Sequence, residues 1–264
     1  MEFLAGNRIR GTSAEKAGIA GVDTITKDNQ AIIQNGTTGG AVTSGTFSSF
    51  VVGNNTNRAL IVASGSYNAS PSIVSVKFNG TESFTLIQDF MGTNFRVELW
   101  ILYNPTATTA DVVIDYGTGA GQMGAIVYSF YGVKQSSATG TPVTKNGSAS
   151  ATPFIPITPT ETGSMIIDSW YSGSDASVPN NDFADGMNII CGGIDRSMAS
   201  QYNLTPTIGS VNNMSRVAGS ASYSQTAVEV KANSVLPNVE DGAIFYDTDV
   251  NKSYVLNSGT WTEV

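Results

Sequence analysis

Apolar and polar residues alternate with a period of two along most of this chain, and Gly, Asn, Ser and Pro interrupt the alternation at short intervals. That pattern predicts short β-strands joined by tight turns. The longest alternating segment, Phe95-Arg-Val-Glu-Leu-Trp-Ile-Leu-Tyr, puts Phe95, Val97, Leu99, Ile101 and Tyr103 on one face and Arg96, Glu98, Trp100 and Leu102 on the other. Asn104-Pro105 ends it. Upstream, 58–65 reads as a buried strand and 72–78 as an alternating one. Asn79-Gly80 then supplies the two positive-φ positions of a tight hairpin, and 83–88 returns. Further strands are predicted over 110–116, 124–131 and 164–171, with weaker ones at 187–191, 216–224 and 227–231. No long amphipathic helix is predicted; 12–20 holds at most a couple of turns, weakened by Gly18. The fold class is therefore all-β, a double-layered antiparallel β-sandwich of jelly-roll type.

The two ends read differently from the middle. Residues 1–43 are rich in Gly and Thr, with one short apolar run at Ala31-Ile-Ile, and are predicted to form an extended N-terminal arm that buries little area alone. Residues 44–232 form the sandwich. Residues 233–264 hold three short strand patterns with turns at 247–252 and 257–259, which predicts a small C-terminal β-meander. A piece of ~30 residues needs a further surface to be stable. The arms are expected to dock on neighbouring subunits through Phe3, Leu4, Ile9, Ile32 and Ile33 in front and Ile244, Phe245, Tyr254 and Trp261 behind.

Composition narrows the chemistry. The chain has 264 residues, a net charge of −8, no His and one Cys. Thirteen scattered basic residues do not make a nucleic-acid surface, which requires clustered Lys and Arg against phosphate. No apolar run approaches the ~20 residues of a membrane-spanning helix. The opening segment carries an acid where an export signal carries base, so synthesis in the cytoplasm without a signal peptide is expected. Cys191 has no partner within the chain and reads as a small buried apolar residue. Without His, Ser-His-Asp and Cys-His catalysis and most zinc sites drop out.

Paired-carboxylate chemistry stays open, because Glu82, Asp89, Glu98, Asp111, Asp115, Glu161 and Asp168 lie in or beside strands. No closely spaced acidic motif of a sugar-cleaving cleft accompanies them, and they read as solvent-facing acids on half-buried strands. Asp247-Thr-Asp-Val-Asn-Lys-Ser invites a calcium-loop reading, but the positions that need Gly and a bidentate Glu hold Lys252 and Ser258, so a hairpin turn is expected. Trp100, with Arg96 and Glu98, is either a sugar-stacking platform or part of a second buried face; Trp100 and Glu98 are the candidate glycan contacts. Trp170-Tyr171 has the same two readings, and Trp261 is expected to anchor the meander. Two Gly-rich stretches, at 36–40 and 117–121, lack the helix and Lys-Ser/Thr of a phosphate loop and read as turns. No catalytic, cofactor or metal site is expected.

Several phrases resemble a β-sandwich module of phage and other prokaryotic-virus structural proteins: Asn57-Arg-Ala-Leu-Ile-Val, Val74-Ser-Val-Lys-Phe-Asn-Gly-Thr, Glu98-Leu-Trp-Ile-Leu-Tyr-Asn-Pro, Ala125-Ile-Val-Tyr-Ser-Phe-Tyr-Gly-Val and Gly163-Ser-Met-Ile-Ile-Asp. The tail, from Gly242-Ala-Ile-Phe-Tyr-Asp-Thr-Asp to Gly259-Thr-Trp, is similar to a short terminal module of phage tail and virion proteins. The opening Phe3-Leu-Ala-Gly-Asn-Arg-Ile-Arg-Gly-Thr is similar to the start of some marine virus structural proteins. The resemblance implies attachment devices at the ends and a displayed sandwich between them. The expected role is a capsid-decoration or fibre protein of the virion, assembling with copies of itself, with a trimer as the guess, and with other virion proteins. The alternatives are a tail-fibre receptor-binding or lectin-like protein, whose loop at 172–185 would touch host glycans, and a carboxylate-based glycan hydrolase.

Overall fold

The computed structural model describes the chain except residues 1, 5–7, 14–15, 17–23, 36–41, 68–71, 121, 151, 174–179, 182–186, 191–195, 218–220, 234–241 and 258–259. Cys191 and most of the 172–185 loop lie outside the described residues, as does most of the 12–20 segment.

The chain opens with β1 (Glu2–Leu4) and β2 (Arg8–Gly11). A first run of strands follows: β3 (Thr26–Asn35), β4 (Val42–Val51), β5 (Ala59–Tyr67), β6 (Ser75–Phe78), β7 (Glu82–Ser83), β8 (Thr85–Met91), β9 (Phe95–Tyr103), β10 (Thr109–Ala120) and β11 (Met123–Tyr131). A second run is β12 (Val143–Ser150), β13 (Phe154–Ile157), β14 (Met165–Gly173), β15 (Asn180–Asn181), β16 (Met187–Ile190), β17 (Arg196–Ser200), β18 (Tyr202–Asn203), β19 (Asn212–Val217) and β20 (Ala221–Val230). The chain closes with β21 (Ile244–Asp247), β22 (Lys252–Asn257) and β23 (Thr260–Glu263).

The protein is all-β, and antiparallel sheets pack face to face as the alternation predicts. Both residues of the Asn79-Gly80 turn adopt positive φ, and Asn104 does so where β9 stops. The returning strand is cut in two at Phe84: β7 pairs with β6, then β8 crosses to pair with β9 in the other sheet.

The sandwich is double where a single one was expected. In the first run the sheets have the orders β3-β11-β5-β9-β8 and β4-β10-β6-β7. In the second they have the orders β12-β20-β14-β17-β16 and β13-β19-β15, with β18 beside β14. Read in chain order, β12, β13, β14, β15, β16, β17, β19 and β20 occupy the places of β3, β4, β5, β6, β8, β9, β10 and β11. The chain is a tandem repeat of one sandwich, recorded in strand order. Residues 26–35, assigned from sequence to a loose arm, are the full-length edge strand β3, paired with β11 through nine registered positions. Their low apolar content conceals this, because an edge strand shares its burial with the neighbour it pairs with.

The two units stack through their five-stranded sheets. Ile61, Ala63, Val97, Leu99, Ile126 and Phe130 of the first meet Met165, Ile167, Tyr171, Met198, Val228 and Val230 of the second. The contacts are reciprocal: β11 lies on β17 as β9 lies on β20, β5 on β17 as β9 on β14, and β5 lies on its own counterpart β14. This is the arrangement of an isologous two-fold interface, built within one chain. On its other face the first inner sheet packs against β4-β10-β6-β7 through Phe47, Leu60, Val62, Phe78, Trp100, Val112 and Ile114. The second inner sheet packs against β13 and β19 through Ile155, Ile157, Ile166 and Met214. Four layers result. Strands of the inner layers are buried on both faces, which is why β5, β11 and β14 carry near-continuous apolar runs, whereas β4, β6 and β13 alternate.

Close approach of the inner sheets depends on glycine. A Cβ on Gly65 would lie 2.5 Å from the Tyr171 ring, and one on Gly173 would lie 2.5 Å from Phe95. The Phe95 and Tyr171 rings themselves meet at 5.7 Å. Gly65→Ala is expected to cost about 1–3 kcal/mol by overpacking, read from the denaturant midpoint; an unchanged midpoint would show that the two units do not pack this tightly.

Candidate functional site: the sheet made by the two chain ends

The ends of the chain pair with each other. Strands β1, β2, β21, β22 and β23 form one five-stranded sheet in that order, joined by a parallel β2–β21 pair that registers Ile9 with Phe245. The antiparallel pairs β21–β22 and β22–β23 are the meander expected from residues 233–264. β2 and β21 alternate outward and inward, so one face carries Ile9, Phe245, Leu256 and Trp261. Ile9 and Phe245 are buried, and the Trp261 ring lies 5.7 Å from that of Phe245.

A polar clasp reinforces the pairing. Asp247 is fully buried and accepts from Ser13 Oγ at 2.7 Å and from Asp249 N, and Lys16 Nζ lies 2.9 Å from it. Asp249 accepts from Ser13 N, and Thr248 N donates to Gly11 O. Burial pushes the Asp247 carboxyl up, but Lys16, Ser13 and the Asp249 amide outweigh it and hold the group below its ordinary value. Lys16 Nζ also sits 3.1 Å from the centre of the Tyr254 ring. The acidic turn at 247–252 is thus a hairpin turn whose first carboxylate is committed to the N-terminal segment. Among the described residues no group of His, Cys, Asp and Glu gathers for a metal.

This arrangement corrects the expected arms. Ile9 and Phe245 dock on each other within the chain, and Tyr254 and Trp261 are half-buried in the same sheet. Ile33 packs against the core of the first unit, and Ile32 is exposed on β3. The side chains of Phe3 and Leu4 lie outside the described residues. The physical reason is register: two short strand patterns far apart in sequence complete one another's ladder. What the sheet leaves outward is its second face, where Arg8 and Arg10 of β2 stand in register with Ile244 and Tyr246 of β21, and Val255 of β22 with Ile244. Ile244 is 38 % exposed. The outer strands β1 and β23 each have one neighbour among the described residues, so each presents an open edge.

Of the two readings of Trp100, the second buried face holds, and the candidate glycan contacts Trp100 and Glu98 are not at the surface. Trp100 and Glu98 are both buried between the sheets of the first unit. Glu98 accepts from Ile73 N at 3.1 Å and from Trp100 Nε1 at 3.3 Å, so the indole edge is committed inward and its face packs in the core. Burial, then the nearby Asp89 charge, push the Glu98 carboxyl up to about 7. Trp170 and Tyr171 are buried too.

Asp168, read from sequence as solvent-facing, is fully buried on β14 and paired with buried Arg216 of β19. It also accepts from Gln201 N at 2.9 Å and Gln225 Nε2 at 2.8 Å. Arg216 stands 5.2 Å from the Trp170 ring. The signal available in the sequence was an acid inside the unbroken run Met165-Ile-Ile-Asp-Ser-Trp-Tyr, where a strand buried on both faces leaves no outward position. Other acids have local partners: Glu82 accepts from Thr106, Asp111 from Ser49 N, and Glu161 from Lys231.

No family model, no curated protein and no solved structure matches the chain.

Proposed function

We propose that this is a virion structural protein displayed on the particle surface as a decoration or fibre subunit. It assembles with copies of itself and with other virion proteins through the sheet formed by its two ends, and the double sandwich is the displayed body. The observation that carries the reading is the pairing of β2 with β21: both ends are spent on one small sheet whose outer face carries Ile244, Tyr246 and Val255 beside Arg8 and Arg10, and whose outer strands β1 and β23 each have one neighbour among the described residues. The strand orders β3-β11-β5-β9 and β4-β10-β6-β7, with the chain winding between two sheets, accord with the jelly-roll type of the expected family. A surface with few charges and many Thr, Ser and Asn side chains suits exposure on a particle. In this reading the protein is made in the host cell and leaves it within the particle, without catalysis.

A second reading, receptor binding at a host surface, is favoured by an uncharged depression lined by hydroxyl and amide groups where the two units meet.

Light scattering on the purified chain tests the first reading. A closed homo-oligomer is expected, with a trimer as the guess. Ile244→Lys with Val255→Lys is expected to dissociate it while leaving the unfolding of the sandwich in place. A monomer at every concentration, or an oligomer that ignores this pair, would overturn assembly through the terminal sheet.

A further inference from the structure

The depression of about 290 Å³ lies between the β8–β9 turn of the first unit and strands β12 and β20 of the second. Its lining is Thr93, Asn94, Phe95, Asn146, Ser222 and Tyr223, together with Gly147 and Ser148. None of these side chains is charged. We propose that this junction is a binding site for a neutral saccharide unit. The proposal deepens the receptor-binding reading and rests on it, while assembly through the terminal sheet stands apart.

Three observations carry it. The first is the placement of Tyr223, a residue only 4 % exposed that nevertheless lines the depression. Its ring lies over Gly147: a Cβ there would stand 2.6 Å from Tyr223 Cε1 and 3.0 Å from its hydroxyl. Only glycine at 147 admits the ring, which packs with Trp170 and Ala199 in a buried cluster and so forms a fixed part of the wall of the depression. Burial pushes the Tyr223 hydroxyl's pKa up, so the group stays a neutral donor and acceptor.

The second is the surplus of uncharged polar groups. The side chains of Asn94, Ser148, Ser222 and the Tyr223 hydroxyl carry no hydrogen bond to the described residues, and Asn146 Nδ2 reaches Thr93 Oγ1 only at 3.5 Å. Amides and hydroxyls both donate and accept, which matches the paired donor and acceptor character of sugar hydroxyls. A carboxylate or phosphate ligand would find no cation here. The third is size: the volume lies just under the ~300–1,000 Å³ of drug-sized ligand sites, which suits a single ring or the end of a chain.

The depression exists only because the units are stacked. Gly92 allows the β8–β9 turn to approach Ser224, whose hydroxyl donates to Phe95 O at 2.9 Å. Its two walls therefore come from opposite members of the repeat.

Saturation-transfer NMR and titration of the full chain with galactose, glucose, mannose, fucose and N-acetylglucosamine provide the test, with glucuronate and N-acetylneuraminate as charged probes. At least one neutral sugar is expected to bind with a Kd of about 1 mM or tighter, and the charged probes at least ~10-fold more weakly. Asn94→Ala and Asn146→Ala, both at exposed positions, are each expected to weaken binding about tenfold, the equivalent of one good hydrogen bond. Tyr223→Phe, with its melting temperature as a folding control, is expected to do the same. Thr141→Ala, elsewhere on the second unit, is expected to change nothing. Sugar binding that ignores the junction variants would overturn this site and leave receptor binding standing; no binding of any neutral sugar at ~10 mM would overturn both.

Discussion

Asp168→Ala is expected to destabilise the protein by about 3–5 kcal/mol, the cost of leaving a buried charge without its counter-charge. In the wild type one carboxylate takes the Arg216 guanidinium, Gln201 N and the Gln225 amide in a space between two sheets with no exposure to water. Removing it strands the guanidinium, whose Nε and Nη1 already lack hydrogen-bond partners. Arg216→Met is expected to cost less, because the carboxylate keeps its amide donors and the uncompensated N–H groups go. The pair is thereby coupled: the double variant Asp168→Ala with Arg216→Met is expected to cost clearly less than the sum of the single losses. Urea unfolding of the four proteins measures this cycle. A loss below ~1 kcal/mol for Asp168→Ala, the level of a surface pair, would show that water reaches the network.

The second large effect is on pH dependence. The Glu98 carboxyl titrates near 7 in the folded protein, against an ordinary 4.5. Between those values the folded state holds a proton that the unfolded chain has released, so stability falls as pH rises through this window and levels off above it. Two and a half units correspond to about 3 kcal/mol. Glu229 and Asp247, both held below their ordinary values, act in the opposite sense: their contribution is present above the ordinary carboxyl range and is lost as pH falls. The clean comparison is therefore Glu98→Gln against the wild type. The variant is expected to lose the downward slope between about pH 4.5 and 7 and to gain relative stability at pH 8. Parallel curves for the two proteins across that window would place the titration elsewhere.

The alternating segments were legible in the sequence. β9 runs over the nine residues that the pattern marks, with Phe95, Val97, Leu99 and Ile101 on one face as expected. β5, β10, β11 and β14 lie where predicted to within a few residues. The meander at the C-terminal end and the Asn79-Gly80 turn are local features, and local chemistry was enough to find them.

Sites were much less legible. Trp100 beside Glu98 has the composition of a sugar platform, yet the same pattern describes a strand with two buried faces, and only the presence of a second sheet separates the two. Asp168 shows the same ambiguity in reverse: its position would be outward if the β14 sheet were covered on one face by the first unit alone, and it is interior because β19 covers the other face and brings Arg216 to it. Tyr223, Gly147 and Asn94 are unremarkable in sequence because 53 positions separate Asn94 from Gly147 and they belong to different units.

By itself, then, the order of residues determined the strand class, most strand positions, the meander and the absence of any His-based chemistry, since these depend on side-chain period, turn conformers and composition. Tertiary structure alone decided that the sandwich is repeated, that its inner sheets are buried on both sides, that β3 joins the first unit and that β2 finds β21. Each of those is a pairing between segments distant along the chain. Alternation tells a strand which face is apolar, but it carries no information about which other strand, or which second sheet, will cover it.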